Sequence, residues 1–292
     1  MPALLDALRP HQWSKNLLLA VPALVGQAWL QPGVITQVCL AIVAFSLVAS
    51  GTYLLNDLLD LEADRAHPDK RRRPFADGRL KPLWGQVGGP LLVGLGSGLA
   101  VLTLNRDTVI LLLIYVLASA AYTLWLKRVL LVDVILLAGL YSLRLLAGGA
   151  AAGVAVSSWL LAFSMFLFLS LALAKRLTEL EAAPNVDSAT ETARAYRPRD
   201  RDAFAAMGPA AGMLSILVLA LYVSSEPIRS RYAEPDALWL LCPLLLYWIL
   251  RVWFLALRGE LHHDPVVFAL RDRASYGVLA GMLAVVYFAA GG

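Results

Sequence analysis

The sequence predicts an all-α integral membrane protein of about nine transmembrane helices, and three observations predict it. Hydrophobic residues make up 59% of the 292 positions and charged ones 16%, with a mean hydropathy of +0.68, which excludes a water-soluble globule. Nine spans of about 20 residues would use roughly 180 positions, which is about what the apolar windows supply. Those windows are too long and unalternating for barrel strands, and unpaired backbone amides are not left in hydrocarbon, so the spans are helices. The remainder is taken by connections; one transmembrane domain over 1–292 is expected, with no room for a second, soluble one.

The first window, Asn16–Leu30, holds Pro22 and follows Arg9-Pro10-His11-Gln12-Trp13-Ser14-Lys15. It lacks a compact basic start and a small-residue cleavage site, so it is expected to stay in the mature protein. Val34–Leu55 follows and runs into Asn56; Gly85–Leu104 carries Gly94, Gly96 and Gly98, which permit close helix approach. Val109–Leu126 ends on Lys127-Arg128, and Val129–Ala152 contains Arg144, Gly148-Gly149 and a following Gly153. Ser157–Ala174 ends on Lys175-Arg176, and Ala205–Val223, Ala237–Leu257 and Tyr276–Ala290 complete the set. Cys39 and Cys242 fall inside apolar runs, where they read as small core hydrophobes rather than disulfide or metal partners.

Net charge is +4 and the isoelectric point about 9.1, which on so apolar a chain points to loops facing an anionic leaflet, not to nucleic acid. The N-terminal segment and the loops after spans two, four, six and eight hold most Lys and Arg, among them Arg65, Arg71, Arg72, Arg79, Lys81, Arg194, Arg197, Arg199, Arg201, Arg258, Arg271 and Arg273. The opposite loops hold Arg106, Arg229 and Arg231. That asymmetry puts the N-terminus and the long polar loops in the cytoplasm of a multi-pass cell-membrane protein.

Chemistry concentrates after the second span. If the helix continues past Leu55, then Asp57, Asp60 and Asp64 are spaced by three and four and share a face, with Asn56 beside them. Like charges so stacked need a cation between them. Oxygen ligands with open positions suit Mg²⁺ held jointly by carboxylates and a substrate diphosphate, and the basic run Lys70 to Arg73 would grip the remaining phosphate oxygens. The alternative is a solvated helix end, but carboxylates on a membrane helix's continuation are costly unless used. Lys175 and Glu179, four apart, form either an ordinary helix pair or part of a site. Arg144, near mid-membrane, should face a polar cavity or pair with Asp133 or Glu179. Arg9 and Lys15 flank Trp13 as an interfacial anchor or as a phosphate grip at the membrane surface. Tyr122 and Lys127 end span four on the side of the Asp cluster. His262-His263-Asp264 resembles a metal-binding fragment, but adjacent histidines point in different directions on a helix and share a site poorly.

The nine-helix layout and the Asn-Asp-x-x-Asp-x-x-x-Asp motif of Asn56 to Asp64 resemble the UbiA superfamily of intramembrane polyprenyl transferases over nearly the whole chain. Arg9 to Asn16, Glu62-Ala63-Asp64-Arg65-Ala66-His67-Pro68, Leu143 to Gly149, Lys175 to Leu180 and Ala269 to Arg273 look closer still to one branch, the decaprenyl-phosphate phosphoribosyltransferases. Aromatic prenyltransferases of the superfamily carry a second Asp-rich motif after span six. Lys175-Arg176-x-x-Glu179 stands there instead, suited to an anionic sugar or lipid phosphate.

The resemblance implies a UbiA-type bundle with a polar cavity open to the cytoplasmic side and Mg²⁺-dependent transfer of 5-phosphoribose from phosphoribosyl diphosphate to a polyprenyl phosphate in the bilayer. It implies that Asp57, Asp60 and Asp64 are the catalytic residues, holding Mg²⁺ with Asn56. Lys70 and Arg73 would take outer phosphate oxygens, and Lys175, Arg176 and Tyr122 the 5-phosphate and ribose. Glu179 would accept a ribose hydroxyl or hold the cations. Arg9, Lys15 and Arg144 fall to the lipid phosphate, the first two alternatively to the donor, and Lys127 joins the substrate-binding set. Two other readings stand beside this one: an aromatic prenyltransferase such as 4-hydroxybenzoate polyprenyltransferase, and a transporter using the Asp cluster for a coupling ion, against which no internal repetition is seen. Homo-oligomerisation is left open.

Overall fold

A computed structural model describes residues 2–66, 70–181, 196–230, 232–261, 265–269 and 272–291. His67, Pro68, Arg194, Arg231, His262-His263-Asp264, Leu270 and Arg271 lie outside the described residues. Every regular element among those described is helical: α1 Pro2–Leu8, α2 Val21–Val25, α3 Val34–Leu59, α4 Leu61–Ala66, α5 Pro82–Thr103, α6 Arg106–Leu124, α7 Val132–Ala152, α8 Ser158–Glu181, α9 Arg201–Val223, α10 Glu226–Arg229, α11 Leu241–Leu257, α12 Pro265–Ala269 and α13 Arg273–Ala289. Short 3-10 segments join several of them.

Among the described residues, seven stretches are long and apolar enough to span a membrane: α3, α5, α6, α7, α8, α9, and α11 extended back to Pro235. The expected ninth span is the 17-residue α13, and the expected first is not one helix. Pro10–Ala20 is a 3-10 run of 11 residues, followed by α2, a turn and a second 3-10 segment, Ala28–Leu30. Pro10 and Pro22 cannot donate to a helical ladder, and Gln27 is left-handed at φ 53°, which stops α2 after five residues.

The described residues fall into two compact units, 2–136 with 140–156, and 137–139 with 157–181 and 196–291. In the first, α3 lies close against α5 because small residues face each other: a Cβ on Gly96 would stand 2.7 Å from the Ala44 carbonyl. Gly94 and Gly98 meet nothing within 4 Å, so of that trio Gly96 makes the close approach. Gly148 in α7 lets the Leu19 carbonyl come to within 2.1 Å of where a Cβ would be. Leu19, Phe45, Val48, Leu112, Tyr115 and Ala147 form the core around these contacts. Cys39 on α3 is exposed rather than a core residue, and Cys242 is half-buried.

In the second unit, the Ser170 hydroxyl donates to the Gly208 carbonyl at 2.8 Å and accepts from Trp253 Nε1 at 2.9 Å, which ties α8, α9 and α11 together. Trp253 packs where Gly208 lacks a side chain. Val223, Leu238, Leu241 and Ala289 form a smaller core near the start of α11.

Candidate functional site

α3 does run past Leu55, to Leu59, and a single turn residue, Asp60, separates it from α4. The helical bonding continues across it: the Asp60 amide donates to the Asn56 carbonyl at 2.9 Å and the Asp64 amide to that of Asp60 at 2.8 Å. Asp57 and Asp64, seven apart, therefore share a face and are both buried. Asp60 takes a cation of its own, Lys127. The expectation of three stacked carboxylates becomes two plus one, with Asn56 half-buried at the end of α3.

Their charge is answered by the chain's own cations. Arg73 Nη1 lies 3.1 Å from Asp57 Oδ1 and 2.7 Å from Asp64 Oδ2, so one guanidinium nitrogen sits between the two carboxylates. Arg9 Nη2 reaches both oxygens of Asp57, at 2.6 and 2.7 Å, while its guanidinium lies 5.1 Å from the Tyr53 ring centre. Lys127, buried in the 3-10 turn after α6, donates to both oxygens of Asp60 at 2.6 and 2.8 Å. Burial is the largest influence on Asp64 and pushes its carboxyl above the ordinary 3.8; Arg73 opposes, Asp57 adds to the rise, and Lys70 is near enough to oppose it too.

Arg9 is delivered by backbone strain and a row of side-chain pins. Its own backbone is left-handed, φ 52° and ψ 57°, between α1 and the 3-10 run. Ser46, Ser50, Tyr53 and Asp57 follow one face of α3 at helical spacing, a polar stripe that the sequence reading passes over inside an apolar span. Asn16 donates to Ser46 at 2.9 Å, Trp13 Nε1 to Ser50 at 2.9 Å, and Ser50 to the Leu8 carbonyl at 2.9 Å. The interfacial Trp13 is thus bonded into the site's wall.

Arg144 does not pair with Asp133. Its Nε donates to Asn16 Oδ1 at 2.9 Å, Nη1 to the Leu140 carbonyl at 2.8 Å and Nη2 to the Tyr115 hydroxyl at 2.8 Å. The guanidinium lies 4.7 and 5.4 Å from the Tyr115 and Tyr141 ring centres, and Lys15 lies 5.6 Å from that of Tyr141. Neutral oxygens and aromatic faces satisfy a buried charge here without a carboxylate. Tyr122 is half-buried near the end of α6.

In the second unit, Arg176 is buried and donates to Glu179 at 2.5 Å, three residues on; Glu181 takes Arg201 at 3.0 Å. Lys175 stands beside them, half-buried. Arg251, a charge inside the eighth span that sequence reading missed, makes a two-pronged pair with Asp272 at 2.8 and 3.0 Å.

Among the described residues, no three His, Cys, Asp or Glu side chains converge on one point to hold a metal ion. The pair Asp57 and Asp64 nonetheless fits one. Their oxygens already flank a single cationic nitrogen, and hard carboxylate oxygens with the remaining positions open suit Mg²⁺, which keeps several waters and takes the rest from phosphate.

Comparison with known proteins adds to this geometry. The profile of the UbiA prenyltransferase family matches residues 19–276. Protein y4nM of Sinorhizobium fredii is 38% identical over 93% of this chain and 53% of its own length. The nodulation protein NoeC of Azorhizobium caulinodans is 34% identical over 95% of this chain and 90% of its own. The decaprenyl-phosphate phosphoribosyltransferase of Mycolicibacterium smegmatis is 39% identical over 62% of this chain and 58% of its own, so this chain spans little more than half of two of these three relatives. Among solved structures, that of a UbiA homologue from Archaeoglobus fulgidus bound to DMAPP and Mg²⁺ superposes with a TM-score of 0.71 at 17% identity, over 97% of this chain and 99% of that one, which establishes the shared fold.

Proposed function

Since the chain belongs to the UbiA prenyltransferase family and is a multi-pass membrane transferase, we propose that it moves 5-phosphoribose from phosphoribosyl diphosphate to a polyprenyl phosphate, of which decaprenyl phosphate is one, and releases pyrophosphate. The observation that carries this choice is at the end of α8. Both acids there, Glu179 and Glu181, are taken by Arg176 and Arg201, so the position offers cations and ion pairs rather than carboxylates for a second metal. That suits a phosphate-bearing sugar better than a prenyl diphosphate held by two metal sites. We take 1–292 as a single transferase domain whose active site and N-terminus face the cytoplasm.

In the reaction, an oxygen of the polyprenyl phosphate bonds to C1 of the ribose as the C1–oxygen bond to the diphosphate breaks. The attacking oxygen is already ionised at neutral pH, so the protein needs no strong base, and its work is positioning and leaving-group stabilisation. Mg²⁺, where bound, would neutralise charge developing on the departing diphosphate. Asp57 and Asp64 would hold it, with Asn56 alongside. Asp60 would act through Lys127, fixing the ammonium where it meets phosphate. Lys70, Arg73 and Arg9 would carry the diphosphate. For Lys175, Arg176 and Tyr122 we keep the 5-phosphate and ribose, with Glu179 holding Arg176. Lys15 is the cation we assign to the lipid phosphate, and Arg144 supports it by anchoring Asn16, the next residue.

The test is purified protein with Mg²⁺, phosphoribosyl diphosphate labelled in the ribose, and polyprenyl phosphate, followed by counting label in the organic phase. Transfer is expected in the intact protein, with Asp60→Ala lowering it by about 100-fold or more while the protein remains folded and membrane-inserted. Prenyl transfer to 4-hydroxybenzoate in place of phosphoribosyl transfer would overturn the reading in favour of an aromatic prenyltransferase.

A further inference from the structure

Asp57 is buried and has two guanidinium groups on it, Arg9 on both oxygens and Arg73 on one, while Arg73 also holds Asp64. The place between Asp57 and Asp64 is therefore filled by Arg73 Nη1. Mg²⁺ takes carboxylate oxygens at about 2.0–2.1 Å, so it cannot bridge Asp57 Oδ1 and Asp64 Oδ2 while Arg73 Nη1 sits 3.1 and 2.7 Å from them. Two positive groups beside a dication in a site shielded from water also repel it strongly. The arginines can leave only toward another anion, because an unpaired guanidinium at the membrane surface gains nothing by moving off two buried carboxylates.

We propose that Arg9 and Arg73 hold the cation seat of Asp57 and Asp64, and that a divalent ion is admitted together with a diphosphate, to which the two guanidinium groups transfer. The proposal rests on the diphosphate-binding reading above and adds its order: metal and diphosphate enter as a coupled pair. Such an exchange keeps charge nearly constant, two guanidinium groups leaving two carboxylates as the dication arrives and the diphosphate takes the guanidinium groups. Both guanidinium groups have room to move, since the Arg9 and Arg73 side chains keep 21% and 26% exposure while the Asp57 carboxylate they hold is buried. Lys127 has no such part, since it holds Asp60 and not the pair.

Full-length protein in detergent is followed by thermal unfolding and by Mn²⁺ binding, read from loss of the free-ion electron paramagnetic resonance signal. Wild type is expected to show weak Mn²⁺ binding alone and a clear rise in Tm only with Mn²⁺ and inorganic pyrophosphate together. Arg73→Gln removes the group that bridges Asp57 and Asp64, and is expected to bind Mn²⁺ alone about tenfold more tightly than wild type and to gain thermal stability from Mn²⁺ alone. Arg9→Gln should shift in the same direction. If Arg73→Gln folds poorly, rescue of its unfolding temperature by Mn²⁺ is itself the expected result, and a variant that no Mn²⁺ concentration stabilises overturns the proposal. Equal Mn²⁺ affinity in wild type and both variants overturns it as well. Adding Asp57→Asn to Arg73→Gln should abolish the gained affinity, and retention of it would put the ion elsewhere. Failure of phosphoribosyl transfer with the Arg73→Gln gain intact would sink the reaction and leave the exchange standing.

Discussion

Arg144 shows what one residue contributes. A guanidinium buried in a membrane-spanning helix looks like a functional charge, yet its bonds to Asn16, Leu140 and Tyr115 join α7 to the N-terminal 3-10 run and to α6. The forked, planar donor set does this and an ammonium would not, because Nε, Nη1 and Nη2 point to three separate acceptors at once. Arg144→Lys keeps the charge and loses most of those bonds, so it is expected to destabilise the protein by about 2 kcal/mol, at roughly 1–3 kcal/mol for each charged hydrogen bond less what the ammonium recovers. Unfolding in mixed detergent micelles measures this, and an unchanged midpoint would mean that the charge alone is what the position requires. The neighbouring Asp57 and Asp64 follow the opposite pattern, carboxylates buried because cations sit on them.

At the scale of the element, helix ends carry the informative charges. α13 begins at Asp272, whose carboxylate accepts the Ser275 amide at 2.8 Å and the Ser275 hydroxyl at 3.0 Å while holding Arg251 of α11. Burial, the largest single influence, works to raise its pKa, but the two Ser275 bonds and Arg251 together bring it below the ordinary 3.8. A depressed carboxyl stabilises the fold above 3.8 and loses that contribution as pH falls through the folded value. Asp272→Asn keeps the cap and loses the charge, so a variant about 1 kcal/mol less stable at neutral pH is expected, with a shallower loss of stability on acidification. Unfolding midpoints between pH 7 and pH 3 check it, and parallel curves for variant and wild type would rule it out. Asp64 has the reverse sign: its raised carboxyl costs stability above the folded value, and that cost vanishes below 3.8. The first window teaches a related point, since Pro10, Pro22 and the left-handed Gln27 divide into short turns a stretch whose hydropathy alone reads as a span.

For the whole molecule, the distribution of Lys and Arg sets an expected orientation. With Cys39 and Cys242 replaced by Ser, Arg72→Cys should react with an impermeant maleimide from the cytoplasmic face and Ser224→Cys from the opposite one, both positions being exposed. Labelling of both from one face would overturn the orientation. Membrane-spanning α3, α5 to α9 and α11 were legible in the sequence because length and hydropathy are local properties, and so was the Asp57-to-Asp64 motif, because helical spacing is local too. For the Asp cluster, spacing alone suggested three equivalent carboxylates, whereas Arg73 bridges Asp57 and Asp64 and Asp60 takes Lys127. What the amino-acid order determined by itself is the material of this protein: apolar helices for a bilayer, carboxylates at the end of α3, and cations scattered at positions 9, 73, 127, 144 and 176. Which cation answers which acid was decided by the tertiary structure alone. Arg9 lies 48 residues from Asp57, and Lys127 lies 67 from Asp60. Electrostatic pairing depends on distance in space, and at those separations only the packing of helices sets that distance.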